Sequence, residues 1–241
     1  DWKQIDYNIV ADGPKTTTDW NAFRGTQTVR DDAAYVLLNL VVSGNGKVWF
    51  DDVSLAQPGA VAQNAIAPLP LQIAANDARL RYIGRFDWSD KTAPRCAWPA
   101  SSVTIRFRGT DLNAKLRGGN NVRWQIEVDG KPTEKIKVGE GENLYRLASG
   151  LKNGEHTIRL IQATEALFGT TQVLGWQLNA GAQLLPVAPR TRRIEIIGDS
   201  ISAGYGNEAA SKEEKFSPDT QNAYFTYGAM AARELNAEYA C

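Results

Sequence analysis

The sequence is poor in the residues that build metal and disulfide frameworks. It has two cysteines, Cys96 and Cys241, and a single histidine, His156. Two thiols cannot make a disulfide framework, and no zinc-ligand spacing is present. The cysteines read as two unrelated thiols. Neither sign of charge is in excess, since 27 lysines and arginines stand against 27 aspartates and glutamates. That balance disfavours nucleic acid as a partner. Long apolar runs are missing too, and none approaches the roughly 20 residues of a membrane helix, so no membrane partner is expected. The chain opens Asp1-Trp2-Lys3 with neither an initiator methionine nor a signal-like segment. It is read as the continuation of a longer protein, so destination cannot be argued from its start.

Alternating short runs with turn signals fill most of what is there, and the expected class is mostly β. In residues 1–57, Ala34 to Val42 and Lys47 to Leu55 flank Ser43-Gly44-Asn45-Gly46, an antiparallel hairpin signal. A lone hairpin is marginal in water, so this segment is expected to be the C-terminal part of a β-sandwich. The run Val48-Trp49-Phe50-Asp51-Asp52-Val53-Ser54-Leu55 resembles the last strand of the carbohydrate-binding modules of secreted polysaccharide-degrading enzymes. The resemblance implies a structural calcium, for which Asp51 and Asp52 offer hard oxygen ligands. Neighbouring strand residues face opposite ways, so at most one ligates through its side chain; an exposed acidic pair is the other reading. Trp2, Trp20 and Trp49 are sugar-stacking faces or core aromatics.

Residues 58–70 read as a linker, with Pro58, Pro68 and Pro70 breaking both periodicities. Residues 71–189 return to β patterning in Arg79–Phe86, Ser102–Arg108, Val122–Val128, Glu134–Val138 and His156–Ile161. Asp129-Gly130 marks a tight turn between two of these runs. Short strands with almost no helical period suggest a sandwich of jelly-roll type. His156 opens a strand and nothing local brings it near a nucleophile, so it reads as structural. Asp87, Trp88 and Asp90 read as a polar loop, with a sugar groove as the other possibility.

From residue 190 the pattern changes. Ile194, Ile196 and Ile197 suggest a strand buried on both faces of a parallel sheet. A loop then runs from Gly198 to about Pro218. Residues 221–236 suggest a helix with Tyr224, Tyr227, Ala231 and Leu235 on one face, followed by a second strand from Glu238. Gly198-Asp199-Ser200 places a hydroxyl at a strand tip, where a base within reach would make it a nucleophile.

Ile197-Gly198-Asp199-Ser200-Ile201-Ser202 resembles the first motif block of the SGNH or GDSL hydrolases. The wider run Arg193 to Asn207 is similar to the family 2 carbohydrate esterases, in which a jelly roll precedes the hydrolase domain. Residues 190–241 would be the first β-loop-α unit of that domain. The resemblance implies Ser200 as nucleophile and as one oxyanion donor through its N–H, with Gly198 and Asp199 shaping the turn. It also implies a catalytic histidine and further oxyanion donors beyond residue 241, so this chain alone is expected to be idle. The activity implied is removal of O-acetyl groups from plant polysaccharide by a secreted enzyme, without a catalytic cofactor. A non-catalytic carbohydrate-binding protein is the alternative. Gly204-Tyr205-Gly206-Asn207-Glu208-Ala209 also fits the loose dinucleotide pattern, but its glycines neither close the strand nor open a helix directly.

Overall fold

The structure, a computed structural model, describes Thr28, residues 69–119 and residues 121–241. The expected N-terminal hairpin, Trp2, Trp20, Trp49, the acidic pair Asp51 and Asp52, and the linker up to residue 68 lie outside the described residues. Everything from Leu69 onward belongs to one compact unit, Gln63–Cys241.

Among the described residues twelve strands form two antiparallel sheets. They are β1 (Leu71–Ala74), β2 (Arg81–Ile83), β3 (Phe86–Asp87), β4 (Arg95–Cys96), β5 (Ser102–Gly109) and β6 (Leu112–Gly118). The series continues with β7 (Val122–Val128), β8 (Lys131–Val138), β9 (Gly141–Ala148), β10 (Gly154–Gln162), β11 (Thr171–Leu178) and β12 (Gln183–Leu185). One sheet runs β3-β4-β11-β6-β9, with β1 sharing an edge of β11; the other runs β12-β5-β10-β7-β8, with β2 sharing an edge of β5. The central pairs are nested: β4 with β11, β5 with β10, β6 with β9, and β7 with β8 at the tip. At that tip Asp129 and Gly130 have φ of 50° and 78°. Two positive φ angles in a two-residue turn match the twist of the flanking strands, which is why an Asp-Gly pair sits there.

Strand alternation builds the core. In β5, Val103, Ile105 and Phe107 are fully buried while Arg106 and Arg108 face outward. Leu112 and Leu116 of β6, Trp124 and Ile126 of β7, Ile158 and Leu160 of β10 and Trp176 and Leu178 of β11 meet them in one cluster. Each such apolar side chain contributes about 1.5–3 kcal/mol on burial. β7 is exceptional because it is buried on both sides, with Arg123, Gln125 and Glu127 on its outer face also buried.

The covering layer is the C-terminal segment. β13 (Arg192–Glu195) pairs in parallel with β14 (Ala237–Ala240), and the helix α1 (Tyr227–Glu234) connects back to β14. Thr226 caps α1, its hydroxyl accepting from the Ala229 N–H at 3.4 Å.

Several expectations need correction. The alternating run Arg79–Phe86 is two short strands, split at Gly84, whose φ is +94° and where a Cβ would lie 2.8 Å from the Ser101 Cα. The apolar run Ile194-Ile196-Ile197 is not buried on both faces. Ile194 and Ile196 are half-buried against a small cluster of alanines and Tyr239, and Ile197 is 90% exposed. Among the described residues the strand has β14 as its one partner, so no second neighbour closes over it.

Helix 221–236 is also shorter than its spacing suggested. Asn222 caps a separate 3-10 turn, Ala223–Phe225, and Thr226 restarts the chain as α1. The buried face of α1 is Gly228, Ala229 and Ala232, whereas Tyr227 and Leu235 are exposed. Small residues win that face because the helix lies close on the strands: a Cβ at Gly228 would come within 2.4 Å of Ile196 Cδ1.

Candidate active site

The serine turn starts where β13 leaves its sheet. The Ile196 N–H still donates to the Ala240 carbonyl at 3.0 Å, and then the chain turns away through Ile197 and Gly198. Gly198 is required by the return of the chain, since a Cβ there would sit 2.1 Å from the Ser202 Oγ. The Asp199 carboxylate accepts the Ile201 N–H at 3.0 Å, and its carbonyl accepts the Ala203 N–H at 3.1 Å. The Ser200 carbonyl accepts the Tyr205 N–H at 2.8 Å. This single tight turn leaves Ser200 exposed, and its hydroxyl and N–H make no hydrogen bond among the described residues. Gly198, Asp199 and Ser200 form a turn just beyond the C-terminal end of a parallel strand, the side where α/β folds place ligands.

His156 is elsewhere. It lies at the start of β10, six residues or about 20 Å of strand from Gln162, beyond which Ala163 meets the C-terminal segment. Its Nδ1 is 2.7 Å from an Asp129 carboxylate oxygen and its Nε2 is 2.7 Å from the Lys152 carbonyl. Those two acceptors, the carbonyl first, raise its pKa. A ring that donates from both nitrogens is an imidazolium brace on two turns and has no lone pair for a serine proton. Asp87 and Asp90 likewise turn inward on their own loops, capping Ser89 and Thr92.

The segment behind Ser200 is bound to the outer face of the sandwich by polar groups. Arg123 Nε donates to Asp219 at 2.6 Å, holding that carboxyl below its usual pKa. Lys135 Nζ donates to the Asp219 carbonyl at 2.6 Å and the Gln221 carbonyl at 3.2 Å, and pairs with Glu208. Glu127 accepts from the Tyr224 hydroxyl at 2.7 Å and from Arg159 at 2.6 Å; burial, then this carboxylate, pushes the Tyr224 phenol up to about 12. Gln125 Oε1 accepts from the Asn222 side chain at 2.9 Å. Glu238 of β14 takes both Arg81 Nε and Nη2 at 2.9 Å, fixing the small parallel sheet to β2.

None of these contacts was visible in the local pattern. Alternation placed Arg123, Gln125 and Glu127 on the face away from the core, and such a face normally meets water. The one usable signal was a polar side with three hydrogen-bonding residues at i, i+2 and i+4.

Aromatic side chains flank the turn. Tyr205, 49% exposed, stacks on Phe216 with centroids 3.5 Å apart, and Phe216 meets Phe168 of the sandwich at 5.7 Å. Near the end of β13, the Arg85 guanidinium lies 4.5 Å over the half-exposed Trp98 and 4.0 Å from Glu195. Among the described residues no cluster of histidine, cysteine and acidic side chains could hold a metal, and no helix is long and apolar enough to cross a membrane.

Residues 82–188, β2 through the stretch after β12, match the carbohydrate esterase 2 N-terminal family. Over this segment the chain is similar to the family 2 carbohydrate esterases. It is 42% identical over 156 residues to the cellulase/esterase CelE of Acetivibrio thermocellus, covering 65% of this chain and 19% of that protein. It is 30% identical over 182 residues to an acetylxylan esterase / glucomannan deacetylase of Cellvibrio japonicus, covering 74% of this chain and 48% of that protein. A solved family 2 esterase from Clostridium thermocellum in complex with cellohexaose superposes with a TM-score of 0.64 at 41% identity, covering 67% of this chain and 50% of that one. The chain therefore spans half or less of the length of these relatives, and Ser200 lies C-terminal to the segment that the family model matches.

Proposed function

We propose that the chain is the sandwich and serine-bearing portion of a secreted serine esterase that removes O-acetyl groups from xylan or a related hemicellulose. The observation that carries this reading is the exposed Ser200, its hydroxyl without a partner among the described residues, on a Gly-Asp-Ser turn at the end of a parallel strand, in a chain similar to esterases. The nested strand pairs support a jelly roll for residues 71–189, and the β13-loop-α1-β14 unit supports the start of an SGNH hydrolase domain. Trp98 and Tyr205 are aromatic faces on which sugar rings can lie.

In the proposed reaction the Ser200 Oγ attacks the acetyl carbonyl carbon and the C–O bond to the sugar breaks. A base takes the serine proton and returns it to the sugar oxygen. Water then hydrolyses the acetyl-serine ester, releasing acetate. In this reading the Ser200 N–H donates to the oxyanion, a type of contact worth about 10²–10³ in rate. The base and further donors come from protein outside this chain, in keeping with its partial coverage of its relatives. The chemistry needs no metal or organic cofactor.

Acetate release from acetylated xylan by the longer protein is the test. Ser200→Ala is expected to abolish it with little change in melting temperature, because the hydroxyl has no partner among the described residues. Activity that survives Ser200→Ala sinks the reading, and efficient turnover by residues 1–241 alone would show that the base is misplaced. Retention on insoluble polysaccharide without acetate release would support a purely binding role instead.

A further inference from the structure

We propose that Gln125, on the outer face of β7, is a positioning residue for Ser200 and acts through Asn222. The inference rests on the esterase reading above and assigns the sandwich a part in it.

Gln125 is 3% exposed and cannot turn its amide around. Its Nε2 donates to the Ile126 carbonyl at 2.9 Å and the Glu134 carbonyl at 3.2 Å, so Oε1 must point outward. That oxygen receives one proton of the Asn222 amide at 2.9 Å, and Glu208 receives the other at 3.1 Å. Asn222 is fully buried, and its Oδ1 accepts the Tyr224 N–H at 3.1 Å. Every polar atom of this side chain is committed, so its backbone is held as firmly as its amide.

That backbone is the back wall of the serine turn. The Asn222 N–H donates to Asn207 Oδ1 at 2.9 Å, and its carbonyl accepts Asn207 Nδ2 at 2.9 Å. The same N–H lies 3.3 Å from the Gly204 carbonyl, and a Cβ on Gly204 would be 2.6 Å from the Asn222 oxygen. Gly204 donates to Ile201, and the next residue, Tyr205, donates to the carbonyl of Ser200 itself. The path from Gln125 to Ser200 runs through the 2.9 Å bond to Asn222, the 3.3 Å approach of Asn222 to the Gly204 carbonyl and the 2.8 Å bond from Tyr205 to the Ser200 carbonyl. Productive geometry in such sites is held to about 0.5 Å, and a displacement of about 1 Å can cost 10²-fold in rate.

The experiment uses the longer protein that carries this chain, with 4-nitrophenyl acetate as substrate and a fluorophosphonate to label Ser200. Gln125→Leu is expected to lower kcat about tenfold or more with KM within about twofold, and to slow labelling by a similar factor. Asn222→Ser keeps a cap for Tyr224 but cannot reach Gln125, and it should show the same losses even if Gln125→Leu does not fold. The double variant should be no slower than the slower single variant, because both act along one path. A lowered melting temperature with kcat and labelling rate unchanged per folded molecule would reduce Gln125 to a structural residue and overturn the proposal. If the unaltered protein neither releases acetate nor labels at Ser200, the esterase reading fails and takes this inference with it. If it does both and the variants match it, the positioning role alone fails.

Discussion

Replacing Gly204 and Gly206 by alanine, one at a time, separates two demands that the Gly-Tyr-Gly sequence makes on the backbone. Both residues sit at positive φ, +86° and +67°. An L-residue in that conformation costs about 1–2 kcal/mol. At Gly206 nothing lies within 4 Å of the added Cβ, so that is the whole expected effect. At Gly204 the Cβ would meet the Asn222 carbonyl oxygen at 2.6 Å, its carbon at 2.7 Å and the Ala223 nitrogen at 3.1 Å. These are backbone atoms tied down by the Asn207 side chain and by the Ala223 N–H bond to the Ala163 carbonyl at 2.9 Å. Overpacking of this kind adds about 1–3 kcal/mol. Gly204→Ala should therefore destabilise by about 2–5 kcal/mol and Gly206→Ala by about 1–2. With a slope of about 2 kcal/mol per molar urea, the two midpoints should separate by about 1 M in equilibrium unfolding followed by circular dichroism. Coincident midpoints would refute the claim that Gly204 is fixed by contact with Asn222.

Further outcomes are expected at His156 and at Glu127. The His156 pKa is raised, so its bonds to Lys152 and Asp129 stabilise the fold fully below about 6.5 and fade as pH rises through the folded value. Asp129 is opposed by burial but lowered on balance by the Thr157 N–H and His156; its share is present above about 3.8 and fades as pH falls through its folded value. Replacing His156 with phenylalanine should therefore cost more at pH 5.5 than at pH 9, and the NMR titration of the chain's single imidazole should have its midpoint above 6.5. A midpoint at or below 6.5 contradicts the double-acceptor geometry. Glu127→Ala should cost about 3–5 kcal/mol, because it strands a mostly buried guanidinium whose Nε has no partner among the described residues. Tyr224→Phe removes only one bond to that carboxylate and should cost about 1.5–3 kcal/mol. Equilibrium unfolding that ranks the two variants in reverse order would show that Arg159 finds another partner.

How much of this was legible depended on whether the information was local. β5, β7, β8 and β10 follow from apolar residues at every second position, and Asp129-Gly130 follows from its turn chemistry. Gly198-Asp199-Ser200 could be read as a serine turn because three adjacent residues carry its geometry. β11 escaped because its register shifts between Val173 and Gly175 and most of its residues are buried, which blurs a period of two. β6 and β9 escaped although Leu112, Ala114 and Leu116 do alternate; their pairing partners were needed to see them. Helix spacing at 221–236 was misleading, because Asn222 and Thr226 caps divide it and close packing reserves the inner face for glycine and alanine. The contacts that hold the serine turn were the least legible of all. Gln125 and Asn222 are 97 positions apart, and no local pattern pairs them.

The nesting of the strand pairs has a kinetic consequence. β7 and β8 meet across a two-residue turn, whereas β4 and β11 must find each other from Cys96 to Thr171. Loop-closure cost grows with the logarithm of the open length, so each inner pair that forms shortens the search for the next one out. Assembly is expected to begin at Asp129-Gly130 and close like a zipper toward β4 and β11, on the slow timescale of chains rich in distant pairings. The outer face of β7 would then be in place before the serine segment docks on it.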